Sequence, residues 1–458
     1  MYTAHERALL AAELAGAMLA GTWSEDGVAE SGAGCLARWP SWIDALALRL
    51  LTVYRAPPAS RGELERVIGA FLAERPAPGP ELEPPRIVSM APHPTAPERK
   101  RPALAPGWPL APIDSVGVLA SRLELSDGQL AWLADVRSLE RTVSQEKLRN
   151  YRYRVVTRRS GLPRVLEAPK ARLKEIQRWV LHEILDHVPP HDAAHGFTRG
   201  RSVVSHAELH CGQRAVLRLD LADFFASVTA ARTYGIFRTV GYAPAVAHAL
   251  TGLSTNTVPP AVWHEIPRTA DASLVQAQFW LGRQLATPHL PQGAPASPAL
   301  ANLAAFRLDR RLTGLAGSVG LRYSRYADDL TFSGSAWLRR REQQFTESVA
   351  RIAREEGFSL NRRKSRLVTS GGRQSVCGVV VNAHPNLART EYDRLKAILH
   401  NSARLGPASQ NRTGVTNFEE HLRGRIAWVA SLNPDRGERL RRRFAAIDWN
   451  APGQGGRS

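Results

Sequence analysis

The segment RYADDLTFS, residues 325–333, places two adjacent aspartates between runs of residues that favour β-strand. Aromatic, aliphatic and β-branched side chains flank Asp328 and Asp329, without the spacing of a helix. An Asp-Asp pair between two such runs predicts a hairpin turn. One interpretation is an exposed turn, because aspartate is common there. The other is a cation site, because two like charges this close are stabilised when a cation binds between them and a third ligand.

A third carboxylate is found in RLDLADFF, residues 218–225. Asp220 interrupts an apolar strand, where an aspartate is costly unless it is hydrogen-bonded or bound to metal. Nearby Asp223 is explained as a turn or N-cap residue. We therefore predict that Asp220, Asp328 and Asp329 bind two magnesium ions, with manganese as an alternative metal. Two ions in such a cluster promote in-line phosphoryl transfer, which is the chemistry of polymerases.

The charge of the chain indicates its class of partner. The formal net charge of the 458 residues is +19, which favours a polyanion such as nucleic acid. Residues 1–75 contain seven arginines and nine acidic residues, a net charge of −2, so the basic surface lies in the remainder. Three widely spaced cysteines support neither a disulfide framework nor a zinc site. Because no apolar run reaches about 18 residues and no basic leader is present, we expect a cytoplasmic location without a membrane partner.

Composition predicts four parts along the chain. Residues 1–75 have the composition of a small helical accessory unit. Residues 76–112 contain twelve prolines, which predict an extended, semi-rigid linker. Residues 113–387 alternate between strand and helix patterns, and residues 388–458 are basic and helical.

The third part begins with a predicted helix and hairpin. Residues 151–169 predict two strands around a turn at Ser160 and Gly161. A long helix is predicted to follow over residues 170–188, where apolar residues recur at helical spacing.

Five motifs in this order along the chain resemble those of the reverse transcriptases, and within that family the bacterial retron type. The fingers segment is similar to GLPRVLEAPKARLKEIQRWVL, and the first palm motif is similar to RLDLADFF. LPQGAPASPALANL, residues 290–303, resembles the motif that positions template and nucleotide. YADD resembles the metal-binding hairpin, and LNRRKS, residues 360–365, resembles the motif whose lysine lies near the triphosphate. The resemblance covers about residues 119–448.

The resemblance implies a role for each matching residue. Asp220, Asp328 and Asp329 are the implied metal ligands, and Phe225 occupies the position that screens the sugar. The implied nucleotide-binding residues are Arg164, Lys174, Leu221, Phe225, Gln292 and Gly293.

Lys364 is a candidate catalytic residue on chemical grounds as well. The chain contains only six lysines against 55 arginines. Arginine is therefore the usual residue of this chain for a purely electrostatic role, and a lysine at this position suggests a different one. Lysine also gives up its proton more easily than arginine, which suits a donor to leaving pyrophosphate. The alternative is a solvated run of positive charge shared with Arg362 and Arg363.

Two shorter segments resemble retron-specific elements. The family has an Asn-Ala-x-x-His element, and this chain reads HAELH, with His206 in place of the asparagine. The family also has a Val-Thr-Gly element, and this chain reads VCG, with Cys377 in place of the threonine. For the matching histidine, a buried or capping role is an open alternative to RNA contact. The expected RNA-binding residues are Ala207, His210, Val376 and Gly378.

These observations predict an α+β right-hand polymerase. Its fingers, a palm built on an antiparallel sheet and a helical thumb are expected to follow a small helical N-terminal unit. The resemblance implies an RNA-directed DNA polymerase that extends a primer hydroxyl on a dedicated structured noncoding RNA. The implied product is RNA-linked single-stranded DNA that serves in defence against bacteriophage.

The expected partners follow from that activity. They are the structured RNA as template and primer, the DNA product and its RNA–DNA hybrid, deoxynucleotide triphosphates, and an effector protein bound through the N-terminal unit. Two alternatives stay open. One is another bacterial reverse transcriptase, of group II intron or abortive-infection type, and the other is an RNA-binding scaffold without catalysis.

Overall fold

The computed structural model describes residues 4–20, 22–36, 40–58, 61–74, 108–110, 112–157 and 161–449. Most of the linker predicted over residues 76–112 lies outside this part of the chain, and so does Ser160. The helices are α1 (Ala4–Ala20), α2 (Glu25–Gly34), α3 (Ile43–Val53), α4 (Arg61–Ala73), α5 (Val116–Arg122), α6 (Asp127–Leu133), α7 (Leu139–Thr142), α8 (Ala171–Glu183), α9 (Val203–Glu208), α10 (Ala230–Val240), α11 (Pro244–Ser254), α12 (Pro260–His264), α13 (Ala272–Leu285), α14 (Ser297–Ala304), α15 (Phe306–Ser318), α16 (Trp337–Arg340), α17 (Glu342–Glu355), α18 (Arg389–Leu405), α19 (Phe418–Leu432) and α20 (Pro434–Ala445). The strands are β1 (Tyr151–Thr157), β2 (Pro163–Pro169), β3 (Ala215–Asp220), β4 (Arg322–Tyr326), β5 (Asp329–Gly334), β6 (Arg366–Thr369), β7 (Ser375–Val376) and β8 (Val379–Val380).

These elements form two compact units, each made of two chain segments. The first unit comprises Met1–Pro189 and Phe225–Ala304. The second unit comprises Pro190–Phe224 and Ala305–Ser458. Each unit has its own helices and strands.

The first unit begins with helices α1–α4, which bury a shared apolar core. In α3, Ile43, Leu46 and Leu50 recur at helical spacing and are fully buried, so one stripe of the helix faces this core. Later in the unit, β1 and β2 pair as an antiparallel hairpin, as predicted. Helix α8 follows within the range predicted for it and buries Leu173 and Val180.

The second unit contains a four-stranded antiparallel sheet in the order β4-β5-β3-β6. Strand β3 is almost wholly buried, and Phe332 of β5 stacks on Tyr323 of β4 and meets Phe345 of α17 edge-on. Helices α18–α20 bury a separate apolar cluster that includes Leu399 and Leu440. The antiparallel sheets and the helical N-terminal region confirm the predicted α+β class. No described helix is long and apolar enough to cross a membrane.

A buried ion pair joins α15 to β4 behind the predicted hairpin turn. Arg325 and Asp309 are both fully buried, and the guanidinium Nε and Nη2 donate to Oδ1 and Oδ2 at 2.8 and 2.6 Å. Tyr323 donates its hydroxyl to the same carboxylate at 2.8 Å. The remaining guanidinium nitrogen, Nη1, donates to the carbonyl of Ala327 at 3.0 Å. Because that carbonyl belongs to the turn, the ion pair fixes the turn to the helix beneath it.

Asp309→Ala is expected to destabilise the protein strongly, because it leaves the Arg325 charge buried without its counter-charge. Breaking such a buried pair lowers the free energy of unfolding by about 3–5 kcal/mol. The matched control is Asp393→Ala, which removes the partner of Arg389 from an exposed pair and should cause little change. Urea denaturation of both purified variants measures the difference. Equal stability of the two variants would show that the buried pair does not hold the fold.

Candidate active site

The predicted hairpin places two of the three aspartates at one end of the four-stranded sheet. Tyr326 pairs with Asp329 as the last residues of β4 and β5, so Ala327 and Asp328 form the turn. Ala327 has a left-handed backbone with φ of 55°, which costs free energy for a residue with a side chain. Gly196 lies against this turn, where an added Cβ would be only 2.6 Å from the Ala327 nitrogen. The turn is therefore held in a strained conformation by close packing and by the Arg325 contact.

Sheet register brings the third aspartate to the same place. Asp220 ends β3 directly opposite Asp329 of β5. One residue later, the Leu221 amide donates to the carbonyl of Asp328 at 2.9 Å, which extends the pairing into the turn. The structure therefore brings together the three carboxylates that the sequence predicted as metal ligands.

The segment that contains Lys364 is attached to the end of β3 by backbone and side-chain bonds. Asn361 donates its amide to the carbonyl of Asp220 at 2.7 Å, and Ala222 donates to Ser359 at 2.8 Å. Lys364 Nζ lies 2.8 Å from Asp220 Oδ1. The lysine side chain is half exposed, whereas the aspartate is buried, so the ammonium group lies at the open edge of the carboxylate cluster.

The electrostatics of the cluster favour cation binding. Burial raises the pKa of Asp328, and the neighbouring charges of Asp220 and Asp329 raise it further. Burial also raises the pKa of Asp329, against the opposing effect of Arg218, whose Nη2 lies 4.0 Å from its Oδ1. An added cation would relieve this repulsion, and carboxylate oxygens are the ligands that Mg²⁺ prefers.

The donor chemistry of the cluster therefore fits a divalent metal. Within the described residues, however, no group of three potential ligand side chains is already arranged around a single point. The Lys364 ammonium instead supplies the positive charge nearest Asp220. To bind a metal ion, Asp220 would therefore have to release its contact with Lys364.

The predicted nucleotide-binding residues divide between the two compact units. Leu221 is buried in the second unit beside the aspartates. In the first unit, Arg164 and Phe225 are half-buried and Lys174 is exposed on α8. The remaining two, Gln292 and Gly293, form a loop in the first unit.

This loop is held against strand β2. Gln292 accepts a hydrogen bond from the Glu167 amide at 2.9 Å. Gly293 has φ of 128°, and a Cβ there would lie 3.1 Å from the Glu167 carbonyl oxygen. Only glycine meets both requirements without strain, so the sequence places a residue of the right type where the backbone approaches closely.

A buried polar cluster under this loop was not predicted. The Glu167 carboxylate contacts His289 Nε2 at 3.0 Å and accepts from Asn256 Nδ2 at 2.7 Å. Burial is the largest influence on the pKa of His289 and lowers it, but the charge of Glu167 and the hydrogen bonds to Glu167 and Thr287 together raise the pKa above its ordinary value. The other ring nitrogen lies 2.7 Å from the carbonyl of Thr287, so both nitrogens act as donors to oxygen. These partners are far apart in sequence and carry no local motif.

The residues expected to bind RNA are mostly inside the protein. Ala207, His210 and Val376 are fully buried, and only Gly378, with φ of 85°, is exposed. The reason is that α9 and the β7–β8 hairpin pack on each other in one apolar cluster. These three side chains are therefore inside the protein, and RNA binding by this set of residues stays a prediction.

The substituted residue of the second element touches the carboxylate cluster instead. The thiol of Cys377 donates to Asp329 Oδ2, with a sulfur–oxygen distance of 3.7 Å. Burial, followed by the charge of Asp329, raises the pKa of this thiol to about 12. It is therefore a neutral donor to one of the three aspartates.

Comparison with known proteins identifies the family. Residues 156–395 match the family described as reverse transcriptase (RNA-dependent DNA polymerase). The chain is 42% identical over 300 residues to the retron Mx65 reverse transcriptase of Myxococcus xanthus, with 65% of each chain covered. It is 34% identical over 373 residues to the retron Mx162 reverse transcriptase of the same organism, with 78% of this chain and 71% of the relative covered.

A more distant relative has the same kind of name. The retron Ec86 reverse transcriptase of Escherichia coli is 30% identical over 296 residues, which cover 64% of this chain and 80% of that protein. The match to the Mx65 protein spans slightly less than two thirds of that protein's length. The family match covers more than half of this chain and includes all three aspartates. The chain therefore belongs to the reverse transcriptase family, as a retron-type member.

Proposed function

We propose that this protein is an RNA-directed DNA polymerase, a nucleotidyltransferase that extends a primer hydroxyl with deoxynucleotides. The observation that carries the proposal is the cluster of Asp220, Asp328 and Asp329 at the end of an antiparallel sheet, in a chain of the reverse transcriptase family. The excess of negative charge in this cluster has a use in a metal-dependent phosphoryl transfer and is otherwise destabilising.

In this proposal the three aspartates hold two divalent ions, magnesium or alternatively manganese. When bound, such ions activate the attacking hydroxyl and stabilise the leaving pyrophosphate. The primer hydroxyl releases its proton to solvent as its oxygen forms a bond to the α-phosphorus, and the bond from that phosphorus to the pyrophosphate oxygen breaks. Lys364 is placed to give a proton to the leaving group, because its ammonium lies at the exposed edge of the cluster.

The nucleotide is proposed to bind through the six residues that the resemblance implies. Gln292 and Gly293 form the loop, and Gly293 has no Cβ where the loop backbone lies close to Glu167. Phe225 has a partly exposed ring that would screen the sugar. The further proposed contacts are Arg164, Lys174 and Leu221.

The template is proposed to be a dedicated structured noncoding RNA that also supplies the primer. The names of the relatives support this, and so does the charge of the C-terminal helices. Helices α18 and α20 line a groove of about 540 Å³ that contains Lys396, Arg439, Arg442 and Arg443. Such a groove suits the phosphate backbone of a duplex, here the RNA–DNA hybrid. The product is then RNA-linked single-stranded DNA, with a role in defence against bacteriophage.

The chain is proposed to have four parts. Residues 113–387 are assigned to fingers and palm and residues 388–458 to a basic thumb and tail. Residues 76–112 are assigned to a linker. Residues 1–75, whose four helices bury their own core, are assigned to an accessory unit that binds an effector protein.

The double variant Asp328→Asn with Asp329→Asn tests the polymerase assignment. It should lower primer extension by on the order of 10³-fold or more, because the lost charges hold metal and do not support the core. The matched control changes two exposed residues, Asp26→Asn with Asp44→Asn, and should retain full extension. Extension of an annealed DNA primer on RNA measures both. Near-parental synthesis by the first variant would refute the assignment.

Phe225→Val should weaken discrimination against ribonucleotides, because the smaller side chain leaves room for a ribose 2′-hydroxyl. Loss of this kind of steric exclusion changes the ratio of kcat/KM values for deoxynucleotide and ribonucleotide by roughly 10- to 100-fold. Competition between dGTP and GTP on one template measures the ratio. An unchanged ratio would mean that the ring is an ordinary packing residue.

The RNA encoded beside the gene tests the retron proposal. Synthesis on that RNA should give DNA joined to a guanosine 2′-hydroxyl, as the resemblance implies. Such a product stays with the RNA under denaturing conditions until a debranching enzyme is added. An unbranched product would favour a group II intron or abortive-infection type of enzyme, and no synthesis on any template would favour an RNA-binding scaffold.

A further inference from the structure

Two buried histidines lie directly behind the catalytic hairpin. His206 is on α9 and His210 lies two residues beyond its end, and neither side chain is exposed. The two residues are four apart, which places them on one side of the helical turn. Their ring centroids are 5.5 Å apart and nearly perpendicular. Two imidazoles this deeply buried need hydrogen-bond partners.

Both histidines find these partners on the two strands of the hairpin. Ser324 Oγ of β4 lies 2.7 Å from His206 Nδ1 and 2.7 Å from His210 Nε2. Ser333 Oγ of β5 lies 2.7 Å from His210 Nδ1. Thr331 Oγ1 of β5 lies 3.4 Å from His206 Nε2. Every ring nitrogen of the pair therefore contacts a hydroxyl of the hairpin.

Each hydrogen bond in this series has one donor and one acceptor when both imidazoles are neutral. A neutral imidazole has one donor and one acceptor nitrogen, and a serine hydroxyl has one proton and two lone pairs. Ser333 can donate to His210, His210 to Ser324, Ser324 to His206, and His206 to Thr331, or all four bonds can run the other way. Burial, followed by nearby positive charge, lowers the pKa of His206 to about 2 and that of His210 to about 3. The neutral form is thus the one present at neutral pH.

The contacts on β5 lie in the same row as a catalytic aspartate. Asp329, Thr331 and Ser333 alternate along the strand, so their side chains project to one face of the sheet. The histidines contact the second and third of these residues, and the thiol of Cys377 contacts the first. On β4, Ser324 stands directly opposite Thr331 in the register. His206 therefore bridges the two strands of the hairpin at one rung.

We propose that His206 and His210 are positioning residues, which hold the β4–β5 hairpin through Ser324, Thr331 and Ser333 so that Asp328 and Asp329 keep their catalytic placement. This inference rests on the proposed polymerase function. The network acts from the buried side and touches neither nucleotide nor RNA. It assigns the histidine of the retron-specific element to the geometry of the active site and not to RNA reading.

The serines give the cleanest test, because Ser324→Ala and Ser333→Ala each remove one oxygen and no volume is added. Each variant should lower kcat roughly 10- to 100-fold with little change in KM for deoxynucleotide, since misplacement of a catalytic group acts on the chemical step. The loss should be equal on the RNA encoded beside the gene and on an unrelated RNA with an annealed DNA primer. Rates are normalised to the fraction of folded protein, which circular dichroism and thermal melting curves measure without reference to activity.

The matched control is Ser402→Ala, which removes another buried serine hydroxyl from the second unit. Ser402 is 1% exposed, and its Oγ has no hydrogen-bond partner among the described residues. This variant should keep the parental kcat. A rescue pair sharpens the result: His206→Asn, which restores a side chain able to donate and accept, should keep most of kcat, whereas His206→Ala should lose it.

The outcomes separate this inference from the function on which it rests. Failure of the proposed function would show as no DNA synthesis by the parent chain. Failure of the inference would show as unchanged kcat in folded Ser324→Ala and Ser333→Ala beside an active parent. Loss confined to the RNA encoded beside the gene would also overturn it, because that result would assign the network to RNA recognition.

Discussion

The central constraint on this structure is the repulsion between three carboxylates at one end of a sheet. The pairing of β3 with β5 places Asp220 opposite Asp329, and the two-residue turn adds Asp328. Burial and the neighbouring carboxylates raise the pKa values of Asp328 and Asp329, so the electrostatics of the folded state are unfavourable here. The surrounding protein must therefore hold the backbone of this region firmly, because the charged side chains do not hold it themselves.

Firm support comes from buried polar groups that lie on the far side of the hairpin. Arg325, which pairs with Asp309, donates from one guanidinium nitrogen to the carbonyl of Ala327 in the turn. The histidine network contacts both strands a few residues away. Each of these buried polar groups has specific hydrogen-bond or ion-pair partners. These partners offset the cost of burying the group and fix the orientation of the residues that it joins. The same logic recurs in the first unit, where Glu167 and His289 support the loop that contains Gln292.

The hairpin, the β3 strand, the β1–β2 pair and helix α8 were predictable because their patterns are local: alternation, turn chemistry and helical spacing lie within short segments. The close placement of the three aspartates was inferred from strand pattern together with paired charge, and the sheet register has it. The partners of His206, His210 and Glu167 were not predictable, because each lies more than 80 residues away and no local pattern joins them. The burial of Ala207, His210 and Val376 was not predictable for a related reason, since resemblance to an element does not reveal whether its side chains point inward.

The two departures from the retron-specific elements both fall on contacts to the hairpin. The histidine at 206 contacts Ser324 on β4 and Thr331 on β5, one residue on each strand of the hairpin. A thiol at 377 is a weaker donor than a hydroxyl, and its sulfur lies 3.7 Å from the Asp329 carboxylate, which weakens the support there. Both residues contact the same row of β5 side chains, His206 at Thr331 and Cys377 at Asp329, so both departures bear on the support of this hairpin.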